Sequence, residues 1–317
     1  MAHCNFNFRG TESDADEEFV LELSEDLDVE VFIEDFDTIE YAKAHKLSTQ
    51  MAARELRYDW FNTLAAQLHF DYILTAHHAD DNLETFLINL SRGTGLEGLT
   101  GIPEVNENIV RPLLPFSREA IEAYASDNKL KWREDVSNAS TKYLRNKLRH
   151  DVIPTLKNMN PTLLPNFNKT IGYLQDSKDL IDDRIDEVSN VIIGNVNENH
   201  ISFNIQEIKK LNNPKAYLFE LLKDYNFTEW QDVSDLLDAQ SGKLVFSETH
   251  RLIKDRNCLL LSAINSEVEN EIAIKNLNKE VETPLGILFF NVTNEVSKVN
   301  DAAIFVDLDL LKFPLKI

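Results

Sequence analysis

Only two of the 317 residues are cysteine, Cys4 and Cys258. They lie far apart in sequence and form no Cys-x-x-Cys pair, which excludes a disulfide-stapled scaffold and points to a reduced, cytoplasmic setting with two structural thiols. No apolar run approaches the roughly 20 residues that cross a bilayer. The opening MAHCNFNFRG is too short and too polar for a secretory signal, so no membrane role is expected. No His-x-x-x-His occurs, which argues against a zinc hydrolase, and no metal ligand set is assigned. Ser241-Gly242-Lys243 lacks the upstream glycine of a phosphate loop and reads as a turn. Cations are scarce as well: 32 Lys and Arg face 54 Asp and Glu, a net charge of −22. That is the wrong sign for electrostatic binding of nucleic acid.

The charge is unevenly spread, however. Residues 1–40 hold fourteen acids against one arginine, Arg9. Residues 129–149 hold seven Lys or Arg against Glu134 and Asp135. The acidic excess reads as a solvated face. The basic segment reads equally well as a solvated helix face or as a phosphate contact.

The most informative stretch is YILTAHHADDNLETFLINLSRGTGLEGLTG, residues 72–101. A short apolar run of the buried-strand type, Tyr72 to Ala76, leads into two histidines and two aspartates. An amphipathic helix follows, with Leu83, Phe86, Leu87 and Leu90 on one face and Gly93 as its stop. Strand, polar turn and helix form the βα unit of an α/β fold, and such folds place chemistry at the carboxyl ends of strands. Asp81 and Glu84, three apart, share one helix face. Carboxylates in a first turn also simply favour the positive end of the helix dipole. For Asp80 alone the capping reading is preferred. For the set His77, His78, Asp80, Asp81 and Glu84 the functional one is. Gly93, Gly95, Gly98 and Gly101 suit either close backbone approach to a ligand or plain tight turns.

The remaining periodicity predicts a helix over 13–28 capped by Ser13 and a strand at 29–33. It predicts a long helix over 48–69 capped by Ser48 and a helix over 117–128 with Ile121 and Tyr124 inward. A basic helix over 141–152 should bury Tyr143, Leu144, Leu148 and Val152. Pro154 and Pro161 should close the first domain. A long amphipathic helix follows from Phe167 to Val188, then a strand at 201–205 and helices near 207–225 and 228–240. Strands are expected within 244–264 and from GILFFNV and AIFVDLDLL near the end. The expected architecture is α/β, a Rossmann-like parallel sheet covered by helices on both faces, followed by a mostly helical substrate domain. The expected divisions are 1–155, 156–265 and 266–317, the last containing strands.

The stretch HHADDNLETFLINLSRGTGLEGLTGI resembles the pattern H-x-x-D-D-x-x-E-T…R-G-t-G-l-x-G-L-x-G of the tRNA(Ile)-lysidine synthetases, members of the N-type ATP pyrophosphatase (PP-loop) family. Further matches are HCNFNFRG with ESDADE, Ala53-Arg54 with Arg57-Tyr58, and Arg111-Pro112-Leu113-Leu114. WREDVSN at 132–138 and YLRNKLR at 143–149 with Pro154 also fit. The resemblance is specific over the first half of the chain and weaker beyond it. The family's ATP loop, S-G-G-x-D-S, has no counterpart here, since no Gly-Gly pair occurs. The chain therefore reads as a member shortened at its N-terminus, without the first strand, ATP loop and first helix, and shortened at its C-terminus too. Strands flanking the lost one should expose apolar edges.

The resemblance implies an ATP- and Mg²⁺-dependent carbon–nitrogen ligase. It would adenylate C2 of the wobble cytidine in tRNA(Ile) with anticodon CAU, and free L-lysine would then displace AMP to form lysidine. It places His77, Asp81 and Glu84 in catalysis, with Asp81 and Glu84 holding the lysine amine. Arg9 and Arg92 would sit beside ATP, and Arg111, Arg145, Asn146 and Arg149 would contact tRNA. Arg111 and Arg54 could instead order the site or be plain surface charges. The chain could pair as a homodimer. Two competing readings are a tRNA-binding remnant without catalysis and a tRNA thiolase, the latter disfavoured by the lack of paired cysteines.

Overall fold

The computed structural model describes residues 1–8, 10–134, 144–196, 200–264, 273–274, 280–283, 286–293, 306–311 and 315–316. The chain divides into two compact units, Met1–Arg184 and Ile185–Ile317.

In the first unit β1 (Ala2–Asn5) runs parallel to β2 (Phe32–Asp35), and α1 (Thr11–Leu27) makes the crossover between them. Helix α1 starts two residues earlier than Ser13 predicts, after Gly10, and Ser13 is buried within it. Helix α2 (Thr38–Ala44) is capped by Asp37. Helix α3 (Thr49–Leu68) is capped as predicted, the Ser48 side chain accepting from the Met51 N–H at 3.3 Å. Strand β3 (Ile73–Leu74) leads into α4 (Ala79–Arg92), which ends at Gly93 in the left-handed region. A short helix, α5 (Leu96–Leu99), precedes the strands β4 (Val105–Asn106) and β5 (Ile109–Val110). Strand β5 pairs parallel with β3 and antiparallel with β4.

The parallel α/β character is as expected, but the described strands form two sheets, β1–β2 and β3–β5–β4, rather than one. Among the described residues β1 and β3 each pair on one side only. The run at 72–76 is consequently not a buried strand: Tyr72 is 64 % and Leu74 67 % exposed.

Helix α6 (Arg118–Asp127) is capped by Ser117, whose side chain accepts from the Ala120 N–H at 3.1 Å. Tyr124 points outward, contrary to its predicted inward position. The basic helix is described from Leu144; Tyr143 lies outside the described residues. It comprises α7 (Leu144–Lys147), a π-helical turn at Leu148–Val152 and α8 (Ile153–Met159). It runs through Pro154 because that proline occupies the first turn of α8, where no N–H is needed. Its inward face is also not the predicted one. Leu144 and Val152 are exposed, whereas Arg145 and Arg149 turn towards α4.

Helix α9 (Leu163–Ile192) contributes Leu164, Phe167 and Ile171 to a core with Ala79, Leu83 and Ile153, and Phe86 meets Phe167 edge-on at 5.4 Å. The first compact unit extends along this helix to Arg184. No helix among the described residues is long and apolar enough to cross a membrane.

The second unit is mixed rather than mostly helical. Strands β6 (Ile193–Val196), β7 (Ile201–Asn204), β8 (Leu244–Phe246), β9 (His250–Asp255) and β10 (Cys258–Ala263) form an antiparallel sheet of order β6-β7-β10-β9-β8. The alternation of Leu252 with Lys254, and of Leu259 with Leu261, is that of strands. Helices α10 (Ile205–Lys209), α11 (Pro214–Leu222) and α12 (Trp230–Asp235) supply Ile208, Leu218, Leu222 and Val233 to the core with Leu252, Leu259 and Leu261. Two further pairs are β12 (Glu280–Thr283) with β13 (Gly286–Phe289), and β11 (Ala273–Ile274) with β14 (Leu315–Lys316). Leu308–Leu310, expected within a strand, is a 3₁₀ turn; residues 303–305 of the same expectation lie outside the described residues.

Candidate active site at the start of the central helix

Strand β3 and the first turn of α4 open onto a cleft of about 570 Å³. His3 and Cys4 of β1, Arg57 and Tyr58 of α3, His77, Asp81, Arg145, Asn146 and Arg149 line it. The gap between the two sheets thus lies at the carboxyl end of β3, where chemistry was expected.

The four polar residues that open α4 have different partners. Asp80 turns inward. Its Oδ2 accepts from the Arg118 N–H at 2.8 Å and its Oδ1 from Lys157 Nζ at 2.7 Å. Burial works against its ionisation, but these two donors outweigh it and hold the carboxyl below its ordinary range. Lys157 also reaches Glu119 at 2.6 Å. Asp80 is therefore an anchor between α4, α6 and α8, neither a dipole charge alone nor a member of the cleft. Asp81 faces the cleft. Its Oδ2 accepts from the His78 N–H at 3.1 Å, closing the helix start. Asn82 turns away, its Oδ1 accepting from the Ile102 N–H at 2.7 Å. Glu84 is 1 % exposed and wholly engaged by arginine.

That engagement is dense. Arg149 Nε donates to Glu84 Oε1 at 2.6 Å, and its Nη2 donates to Glu84 Oε2 at 2.9 Å and to Asp81 Oδ1 at 3.1 Å. Arg145 Nε donates to Glu84 Oε2 at 2.8 Å, and its Nη2 reaches Thr85 Oγ1 at 3.0 Å. The Glu84 bonds first of all hold the Arg149 guanidinium protonated, pushing its pKa up. The i, i+4 spacing of Arg145 and Arg149 matches the i, i+3 spacing of Asp81 and Glu84 on the facing helix. The two residues assigned to outward phosphates instead neutralise the two assigned to the amine.

His77 has its Nδ1 3.0 Å from Thr75 Oγ1. Burial pushes its pKa down, against the opposing charge of Asp81, so the imidazole is neutral at pH 7. Burial likewise lifts the Cys4 thiol to about 11, which keeps it protonated and unreactive. The His78 side chain lies 3.8 Å from Asp80 and 3.4 Å from Asp81.

Two expected residues are not brought into the cleft. Arg111 is 5 % exposed, with Nη1 donating to the Pro103 carbonyl at 2.7 Å. A guanidinium so enclosed does not face an RNA backbone, and its bond orders the loop before β5 instead. Arg92 lies exposed in the last turn of α4, about 16 Å along the axis from Asp81 at 1.5 Å per residue. Arg9 lies outside the described residues. The glycines serve turns: a Cβ on Gly101 (φ +76°) would sit 2.2 Å from Asn82 Oδ1, and one on Gly98 would sit 2.0 Å from Thr94 Oγ1. Sequence reasoning missed Lys157, whose partner Asp80 is 77 positions away and leaves no local signal. It also left Arg57 without a role, although Arg57-Tyr58 stood in a matched motif. Among the described residues no three His, Cys, Asp or Glu converge as a metal site.

Residues 1–156 match the PP-loop domain family, and residues 196–264 match the TilS substrate binding domain. A protein of Porphyromonas gingivalis strain W83 named tRNA(Ile)-lysidine synthase is 41 % identical over 271 residues, covering 84 % of this chain and 59 % of that protein. Its namesake in Parabacteroides distasonis is 37 % identical over 319 aligned positions, covering 99 % of this chain and 72 % of the relative. That of Bacteroides thetaiotaomicron is 38 % identical, covering 89 % and 65 %. The chain thus spans between roughly three fifths and three quarters of these relatives' length. With the acid pair, the arginine pair and the neutral histidine gathered at one strand end, and with likeness of this extent, the chain belongs to the tRNA(Ile)-lysidine synthase family.

Proposed function

We propose that the protein ligates lysine to C2 of the wobble cytidine of tRNA(Ile) with anticodon CAU, at the expense of ATP. The observation that carries this reading is the Asp81–Glu84 acid pair, faced by Arg145 and Arg149 at the mouth of the cleft. In the first step the C2 oxygen attacks the α-phosphorus of ATP and pyrophosphate leaves. In the second the ε-amine of lysine attacks C2 and AMP leaves with the oxygen.

Arg145 and Arg149 supply positive charge where phosphoryl charge develops. Asp81, the acid that faces the cleft, holds the amine. Glu84 is buried behind it and orients both arginines. Attack requires an unprotonated amine, and His77, neutral through burial, accepts its proton. Asn146 and the exposed side of Arg145 face the approach of the tRNA. Arg111 acts indirectly, through the loop it fastens. Mg²⁺ characteristically binds one or two carboxylates together with substrate phosphates. The donor set here suits a metal carried mainly by the nucleotide, since Asp81 is the one acid of α4 that lines the cleft and Glu84 is fully engaged.

The test is incorporation of labelled lysine into a tRNA(Ile)(CAU) transcript with ATP and Mg²⁺, and its loss in His77→Ala. Binding of the transcript without incorporation would move the reading to a tRNA-binding protein without ligase activity.

A further inference from the structure

We propose that Arg149 occupies the amine seat, and that lysine binds only as a phosphate-bearing ligand draws it away. Naming lysine and phosphate as the ligands rests on the function proposed above; the charge exchange rests on geometry alone. A single nitrogen, Arg149 Nη2, donates to both Asp81 Oδ1 at 3.1 Å and Glu84 Oε2 at 2.9 Å. Two carboxylate oxygens converging on one cationic nitrogen make an ammonium site, here filled by the protein's own side chain.

The remaining acceptor positions are taken as well. Glu84 Oε1 accepts from Arg149 Nε, and Oε2 accepts from Arg145 Nε. Glu84 is too enclosed for a further cation to reach it. Adding an ammonium would set three positive charges against two negative ones within hydrogen-bond range of one another, a repulsive arrangement. An anion approaching the arginines meets the converse problem, because Asp81 and Glu84 already compensate them.

The two binding events relieve each other. A phosphate drawn to Arg145 and Arg149 uncovers the acids, and an ammonium on the acids releases the arginines. The parts suit such an exchange. The Arg145 side chain is 41 % exposed and that of Arg149 is 21 % exposed, so both are open to the cleft side. Arg149 also lies in the π-helical turn Leu148–Val152, a wider turn of the kind that recurs at functional positions in helices. Coupling of this sort is reciprocal by thermodynamic necessity.

Calorimetric titration of the full chain with L-lysine and with inorganic pyrophosphate, each alone and each in the presence of the other, tests this. Saturating pyrophosphate should tighten lysine binding, and lysine should tighten pyrophosphate binding by the same factor, within the roughly 5–150-fold span usual for coupled sites. In Arg149→Met, lysine should bind several-fold tighter than to the wild type without pyrophosphate, and added pyrophosphate should change this little. A residue with a merely structural role would give the opposite sign, with weaker lysine binding in the variant. Wild-type lysine binding that ignores pyrophosphate, or that is absent with and without it, overturns the proposal. If Arg149→Met melts early, the wild-type reciprocity decides alone. Lysine transfer to tRNA without this coupling would remove the exchange and leave the ligase reading. Coupling without transfer would do the reverse.

Discussion

Glu84 and Arg149 are joined by two parallel hydrogen bonds, Nε to Oε1 at 2.6 Å and Nη2 to Oε2 at 2.9 Å, and Glu84 is enclosed at the start of α4. This fork fastens the basic helix to the central helix and sets the charge of the cleft. Planar, bidentate geometry of this kind is what an arginine supplies and a lysine cannot.

Removing Glu84 strands two guanidinium groups beside a buried surface. Breaking a buried pair from one side costs about 3–5 kcal/mol, and the partial exposure of both arginines puts Glu84→Ala near the lower end. Arg145→Met should cost about 1 kcal/mol, because Glu84 keeps its two bonds to Arg149 and Arg145 is the more exposed partner. Hydrogen-exchange protection of the α4 amides measures both. An equal loss in the two variants would contradict the fork as the principal tie.

Asp80 and Lys157 predict a pH dependence with two limbs. The folded pKa of Asp80 lies below its ordinary value, so its contribution to stability is present above about pH 4 and is lost as pH falls through the folded pKa. For Lys157 burial lowers the pKa, but Asp80 and Glu119 raise it to a net value above the ordinary one. Its contribution is full below about pH 10 and is lost as pH rises through the folded pKa. In Lys157→Met the alkaline limb should disappear, and the acid limb should begin at higher pH, because Asp80 loses its charged hydrogen-bond donor and keeps the Arg118 N–H. Urea midpoints of the first unit against pH decide; an acid limb that does not move would show that Lys157 does not hold Asp80.

Much of this was legible in the sequence, and the failures share a cause. The cap at Ser48, the stop at Gly93 and the βα unit around Asp81 are local, and local chemistry dictates them. The inward face of the basic helix was misread because apolar periodicity favoured Leu144 and Val152. The buried carboxylates of α4, more than sixty positions away, outweigh it by pairing with Arg145 and Arg149. The strand at 72–76 looked buried for its composition, but burial belongs to the neighbours a strand has, and among the described residues β3 pairs only with β5. Arg111, which the resemblance placed at tRNA with an ordering role or a plain surface charge as alternatives, and Arg133, a cation of the basic segment, have partners outside their own elements. The first is enclosed against Pro103, and the second is bound to Asp16 at 2.8 Å and Glu12 at 3.4 Å on α1.

His77 offers a spectroscopic check on the cleft. Its imidazole should titrate below 6.5 in the folded chain, since burial dominates, and Asp81 partly offsets that. Asp81→Asn removes the offset and should lower the midpoint further, whereas a midpoint that rises would place Asp81 out of reach of the ring. The histidine Cε1 proton signal followed from pH 4 to 8 reads this directly, with His77 assigned by its loss in His77→Ala.

Gly101 and Gly93 separate two reasons for a glycine. Both have positive φ, +76° and +78°, so alanine at either position pays the left-handed penalty of about 1–2 kcal/mol. At Gly93 an added Cβ meets nothing within 4 Å, and the cost should stop there. At Gly101 it would collide with Asn82 Oδ1, which accepts from the Ile102 N–H at 2.7 Å. Asn82 must swing aside, and the loop loses a bond worth about 1 kcal/mol. The loop after α4 also carries the chain towards Pro103, whose carbonyl holds Arg111. Gly101→Ala should therefore lower stability by about 1 kcal/mol more than Gly93→Ala and should raise hydrogen exchange at Ile102, with no such change from Gly93→Ala. If both variants lose the same stability and leave Ile102 protected, the amide of Asn82 is not what requires a glycine at 101.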